Sequence, residues 1–187
     1  MTGVTLRLDG DEAALVTVGG ILARAQHPRG LFENIGMSLV TSTLHRFETG
    51  IAPDGSPWPP SLRVLSHGGK TLVESARLMR SVTYVASETG VEIGTNVIYG
   101  AIHQLGGQID QAARSQTLHF KRSKRTGGML PGFRRKGKGT ESREVAVGAY
   151  TITMPARPFL GLDDDDTKEI GKLAEDWLAG EDAGDAP

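Results

Sequence analysis

Apolar positions recur through the first fifty residues at helical spacing. Leu15, Val18, Leu22 and Ala25 fall three or four apart, which predicts a helix over Glu12 to Gln26 that Asp9 or Asp11 can cap and that Gly19-Gly20 weakens at its middle. A short stretch before it, Val4 to Leu8, alternates apolar and polar residues and reads as β-like. His27-Pro28 ends the helix, since the residue before a proline disfavours helical backbone. A stronger helix is predicted over Gly30 to Glu48: Leu31, Ile35, Leu39 and Ser42/Thr43 lead to Phe47 on one stripe, with Glu33, Asn34, His45 and Arg46 off it. Gly50 stands where its C-terminal stop belongs.

The pattern then breaks. Residues 50–60 hold four prolines around Trp58, and Pro53-Asp54-Gly55 is a turn, with proline presetting φ and glycine accepting positive φ. Such a loop is stiff and extended, its indole pinned against the body. Lys70 to Ser81 reads as a short amphipathic helix presenting Leu72, Ala76 and Met79. Ser81–Ser87 and Gly90–Gly94 alternate around Glu88-Thr89-Gly90 and form a hairpin. Residues 97–105 are mostly apolar and stop at Gly106-Gly107. From about Gln108 to Glu144 the chain is polar, basic and glycine-rich, and reads as a long insertion loop. Alternation returns as a strand over Val145–Met154, followed by a proline-pinned connection, residues 155–161. A closing helix carries Ile170, Leu173, Ala174, Trp177 and Leu178 on one face, with Asp163–Asp166 at its N-terminal end, where the helix dipole favours anions. The expected class is α+β: a small antiparallel sheet packed with N-terminal helices and a C-terminal helix. One domain spans residues 1–180, and residues 181–187 form a polar tail.

Composition adds limits. At 187 residues, one domain with its own core is the natural content. The net charge of −1 hides two opposed patches, because charges between Arg114 and Arg143 are nearly all basic and those after Leu162 nearly all acidic. The absence of cysteine excludes disulfides and thiolate metal sites and suits a reducing compartment. No apolar run approaches the roughly 18–20 residues of a membrane span. The N-terminus lacks the basic flank of a signal peptide, so assembly in a cytoplasm, with no membrane partner, is the expectation.

Candidate chemistry is sparse. There is no Gly-x-Ser-x-Gly elbow, no Walker or dinucleotide loop, and the five histidines lack ligand spacing. Asp163–Asp166 could offer oxygens to a hard cation, but a helix N-terminus explains the run more simply. No catalytic residue, metal or cofactor is expected. His103-Gln104, a polar pair in an apolar stretch, reads either as a ligand site or as two side chains bonded to nearby backbone. The basic insertion has three open readings. It contacts nucleic acid, with Phe120 and Phe133 stacking; it meets an acidic surface on a partner or another copy; or it is a solvated loop. Trp58 reads as a structural anchor before a partner contact.

Four segments, in order, resemble a known family. Phe47 to Gly50 with Pro53 to Trp58 resembles its "F…G…PdG.pW" signature. Leu72 to Ser81 resembles "L.dtG.L..S", with Ala76 where glycine is common. Val91 to Thr95 with Tyr99 to Gly106 resembles "vGt…YA.iHQfG", with Gly100 and Leu105 departing from it. Ile152 to Leu162 resembles "iPaRPFLgls". These are segments of the phage virion morphogenesis, or tail-completion, proteins, including Mu-type members. The resemblance implies a tail-terminator-like or neck-protein-like fold and a structural virion protein, not an enzyme, at the neck or top of the tail. It implies a homo-oligomeric ring, commonly a hexamer, that contacts the tail tube protein and the head connector or neck proteins, with DNA passing through its lumen. Pro53, Asp54, Gly55, Trp58, His103, Gln104, Arg157, Pro158 and Phe159 become candidates for the subunit interface. Arg114, Lys121, Arg122, Lys124, Arg125, Arg134, Arg135, Lys136 and Lys138 become candidates for contact with the lumen, DNA or an acidic partner. A head-side connector and a nucleic-acid-binding protein working through residues 114–143 are the alternatives.

Overall fold

A computed structural model describes residues 12–123, 125–130, 132, 135–137 and 140–180. The β-like Val4–Leu8, the capping Asp9 and Asp11, Lys124, Phe133, Arg134, Lys138 and the polar tail lie outside the described residues. The chain divides into two compact units: a helical unit on either side of residues 106–155, and a ribbon unit formed by those residues.

In the helical unit, α1 (Glu12–Gln26) and α2 (Arg29–Thr49) form where periodicity places them, with the break at His27-Pro28. Gly50 ends α2 in the left-handed region at φ 73°, its N–H bonded to the Arg46 carbonyl. The buried face of α2 is the expected stripe, Ile35, Leu39, Thr43 and Phe47, with one correction. Arg46, expected off the stripe, is buried within it at 4% exposure.

The hairpin β1 (Val82–Ala86) and β2 (Val91–Thr95) is antiparallel, with Val82 opposite Thr95 and Ala86 opposite Val91. α2 lies across both strands, and Gly36 leaves space on it for the Tyr84 ring. On its other side α2 meets α6 (Asp164–Ala179), where Gly30 makes room for the Trp177 indole. α1 also packs on α6, and Arg24 donates to the Leu178 carbonyl at 2.8 Å, a cation at the negative end of the helix dipole. The core gathers Phe47, Ala52, Trp58, Leu78, Val82, Val97 and Phe159. Three short helices, Ser61-capped α3 (Leu62–His67), α4 (Arg77–Arg80) and α5 (Gly100–Leu105), complete this unit.

The helix predicted over Lys70–Ser81 shrinks to α4 (Arg77–Arg80). Lys70 bridges Val73, and Leu72 and Ala76 take left-handed backbone at φ 63° and 55°. Tertiary packing overrides the local period: Leu78, off the expected face, enters the core, while Leu72 and Met79 of that face pack against the core together with Val73.

The ribbon unit corrects two further expectations. Residues 108–144 are not a continuous loop. β3 (Gly107–Gln111) and β4 (Arg114–Lys121) fill the start of that stretch and β5 (Thr140–Val147) its end. The single strand expected over Val145–Met154 is two, β5 and β6 (Tyr150–Met154). β4 pairs with β5, Arg114 opposite Val147 and Lys121 opposite Thr140, and β3 pairs with β6, Gly107 opposite Met154. Both strands are interrupted at the same level, at Ala112-Ala113 and Gly148-Ala149. The tip is a further turn in which Arg122 bridges Met129, Ser123 N–H bonds to the Gly128 carbonyl and Leu130 N–H to that of Lys121.

Ala76→Gly should raise stability by about 0.5–1 kcal/mol, since an L residue in left-handed backbone costs roughly 1–2 kcal/mol and glycine's extra unfolded-state freedom returns only part of it. Gly36→Ala should do the opposite, losing about 1–3 kcal/mol, because its methyl would overlap the Tyr84 ring. Thermal melts of the two variants beside the parent would read both signs.

Candidate functional site

Residues 155–163 carry no helix or strand, yet their centre is buried: Phe159 is 1% exposed and Arg157 4%. Their backbone donors and acceptors therefore need partners other than a ladder. Side chains from distant parts of the chain supply them. Gln104, at the end of α5, acts as a substitute peptide group: its Oε1 accepts from the N–H groups of Phe159 (2.9 Å) and Leu160 (3.0 Å), and its Nε2 donates to the Leu160 carbonyl at 2.8 Å. The Trp58 indole N–H donates to the Pro158 carbonyl at 2.8 Å. The Arg157 N–H donates to the His103 carbonyl at 2.7 Å.

The far end of the segment is held by Arg46. Its Nη1 donates to the carbonyls of Gly161 (2.8 Å) and Phe159 (3.4 Å). Its Nη2 pairs with Asp163 at 2.9 Å and, at very close range, with Asp166. Asp163 also caps α6 in a capping box: its carboxylate accepts from Asp166 N–H at 2.8 Å while that of Asp166 accepts from Asp163 N–H at 3.2 Å. The Asp166 N–H bond, with the Arg46 guanidinium, holds the Asp163 carboxyl below its usual pKa. The expected helix-terminal role of the aspartate run is thus present, and in addition Asp166 is buried at 5% exposure and ion-paired with Arg46.

The 50–60 loop meets the same segment from the side. Gly55 N–H bonds to the Ala52 carbonyl, Ala52 N–H to the Ser56 carbonyl and Trp58 N–H to the Gly50 carbonyl, a tight turn around Pro53-Asp54. Asp54 accepts from the Ser56 hydroxyl at 2.6 Å and its N–H at 2.9 Å, contacts that lower its pKa. The Pro53 ring sits where a side chain at Gly161 would lie. Phe47 stacks edge-on to Trp58 at 5.5 Å and tilted against Phe159 at 5.2 Å.

The nine interface candidates are therefore brought together in one junction. Within this unit Trp58 and Phe159 are core residues, while Asp54 and Gly55 are exposed. Arg157 is buried with its Nε donating to the Pro59 carbonyl at 2.7 Å, and burial lowers its pKa. Gln104 bonds to backbone as the simpler reading expected. His103 does not: its Nδ1 is buried without a partner, and its ring lies edge-on to Tyr99 at 6.0 Å. Burial, and then the charge of Arg157, push the His103 pKa down. Arg46 is the residue sequence reasoning missed. Its position three after Thr43 and seven after Leu39, on the buried stripe, was the available signal.

Of the basic candidates, Arg114 and Lys121 sit at the two ends of β4. Arg122 bonds to the Gly127 carbonyl and approaches Glu141 at 3.6 Å. Arg125, Arg135 and Lys136 are exposed around the tip. Among the described residues no cluster of His, Asp or Glu could hold a metal.

Fold and junction define an α+β chain in which side chains from distant elements fix an irregular buried segment of backbone. It belongs to the phage virion morphogenesis family, which it matches over residues 9–179. The chain is similar to the Mu-like prophage FluMu G protein 2 of Haemophilus influenzae, 27% identical over 152 residues, covering 81% of this chain and 79% of that one. No solved structure matches it.

Arg46→Met should lose about 3–5 kcal/mol, because it strands the Asp166 carboxylate in the interior. Pairing it with Asp166→Asn should recover part of that loss, and urea denaturation of the single and double variants would measure the difference. His103 gives a pH signature. With its folded pKa depressed, the unfolded chain binds the extra proton, so stability is full above the unfolded value of about 6.5 and falls as pH drops below it. His103→Gln should flatten that slope in denaturation midpoints taken from about pH 7 to about pH 5.

Proposed function

We propose that this chain is a structural protein that completes the head-proximal end of a phage tail and helps join tail to head, working as a ring of identical copies. The observation that carries the reading is the family match over residues 9–179; the likeness to a Mu-like prophage protein over most of both chains supports it. The junction adds a physical argument. Gln104, Trp58, Arg46 and Arg157 bond there to the protein's own backbone, a use that suits a rigid building block. Ring formation places different faces of neighbouring copies in contact, which fits a chain whose two units carry opposite charge.

Electron microscopy of an induced lysate in which the gene is disrupted tests this. Filled heads beside separate, complete-length tails, converted to virions by adding the purified protein, are the expected result. Intact virions in the disruptant would remove the reading, and tail-less heads lacking a neck would place the protein on the head side instead.

A further inference from the structure

Charge is divided between the two units. Residues 106–155 hold ten Lys and Arg against three Asp and Glu, a net +7, which leaves −8 on the rest of the chain. At the ribbon tip, Met129 and Leu130 are 48% and 40% exposed, held by the Arg122–Met129 bridge and the Leu130 N–H bond to Lys121. Exposed Arg122, Arg125, Arg135 and Lys136 belong to the same tip. The helical unit holds a complementary feature, an apolar groove of about 440 Å3 lined by Phe32, Leu39, Val91, Ile93, Leu162 and Ile170. Leu162 and Ile170 bracket the start of α6, where Asp164, Asp165 and Glu169 are exposed.

We propose that the ribbon tip of one copy seats on the helical unit of a second copy, Met129 and Leu130 entering the apolar groove while the tip cations meet the acidic start of α6. The inference deepens the ring reading and rests on it for the partner, a second copy of this chain. Charge selects the geometry. Two ribbon tips repel each other, as do two helical units, so a symmetric contact that pairs like with like is disfavoured. A contact joining tip to groove head-to-tail leaves a free tip and a free groove at its ends, so further copies can add, and the array becomes a ring where the rotation between copies closes. The apolar pair supplies burial, and the charges supply orientation and encounter rate.

Sedimentation equilibrium of the purified protein tests it. The wild type should self-associate, at least about tenfold more weakly when salt rises from about 0.05 to about 0.5 M. A tip-reversed variant, R122E with R125E, should be monomeric where the wild type associates, and so should a helix-reversed variant, D164K with E169K. Mixed, the two should form a complex, because an acidic tip now meets a basic helix start; M129S with L130S should weaken association without changing its salt dependence. Thermal melts would confirm that each variant is folded. A wild type that stays monomeric at every concentration, reversed variants that associate like the wild type, or a mixture that stays monomeric would each overturn the proposal. So would loss of duplex DNA binding on tip reversal with self-association unchanged, which would make the tip a nucleic-acid surface. Lysate microscopy reads head–tail joining independently of how copies touch, so failure of this contact and failure of the tail-completion reading are separable.

Discussion

The helical unit depends on the solution found for residues 155–163, a run without regular structure that passes beside the core. Backbone buried outside a helix or sheet has to find its partners elsewhere. Here they come from α2 through Arg46, from the end of α5 through Gln104 and the His103 carbonyl, and from the proline loop through Trp58. Each is distant in sequence, so the junction forms only when these elements are docked. The orientation of α6 follows from the same bonds: Asp163 both begins the helix and pairs with Arg46, so the helix start is fixed relative to α2.

Two buried arginines solve the cost of desolvation differently. Arg46 sits against two carboxylates and two carbonyls, an arrangement in which a buried cation is compensated. The Arg157 side chain instead donates to the Pro59 carbonyl, and its titratable neighbour is a histidine. Burial, and then the charge of the neighbouring Arg157 guanidinium, disfavour the protonated His103 imidazole. An ion pair such as that of Arg46 adds little net stability over apolar packing. It fixes geometry, since a guanidinium reaching two carbonyls and two carboxylates admits few alternative dockings.

Elements made by local contacts were readable in the sequence. α1, α2, the β1–β2 hairpin and α6 follow from periodicity, caps and turn residues, and the Pro53-Asp54-Gly55 turn formed as its chemistry requires. What was not readable depended on partners far along the chain. The burial of Arg46 is explained by Asp163, 117 residues later. β4 alternates weakly, with Arg114, His119 and Lys121 among Leu118 and Phe120, and its partner β5 lies beyond a glycine-rich tip, so its pattern resembles a polar loop. The 70–81 stretch has the opposite fault, a clean helical period that the core overrides by drawing Leu78 inward and turning the backbone left-handed at Ala76. Glycine at that position, the common residue in the resembling family segment, is the residue its backbone angle favours.

The junction also explains how a charge as large as that of residues 106–155 can be carried without disturbing the fold. Among the described residues, none of the donors or acceptors that hold residues 156–163 lies in the ribbon unit; they come from residues 46, 58, 59, 103, 104, 163 and 166 or from the segment itself. The strands of the ribbon close through their own ladders, β3 with β6 and β4 with β5. Substitutions at the tip therefore leave the bonds that order the helical unit in place, while a change at Arg46 or Gln104 disturbs them at once. A protein built this way can hold its core architecture constant and alter the surface by which it meets other molecules, because stability and charge are carried by different stretches of the same chain.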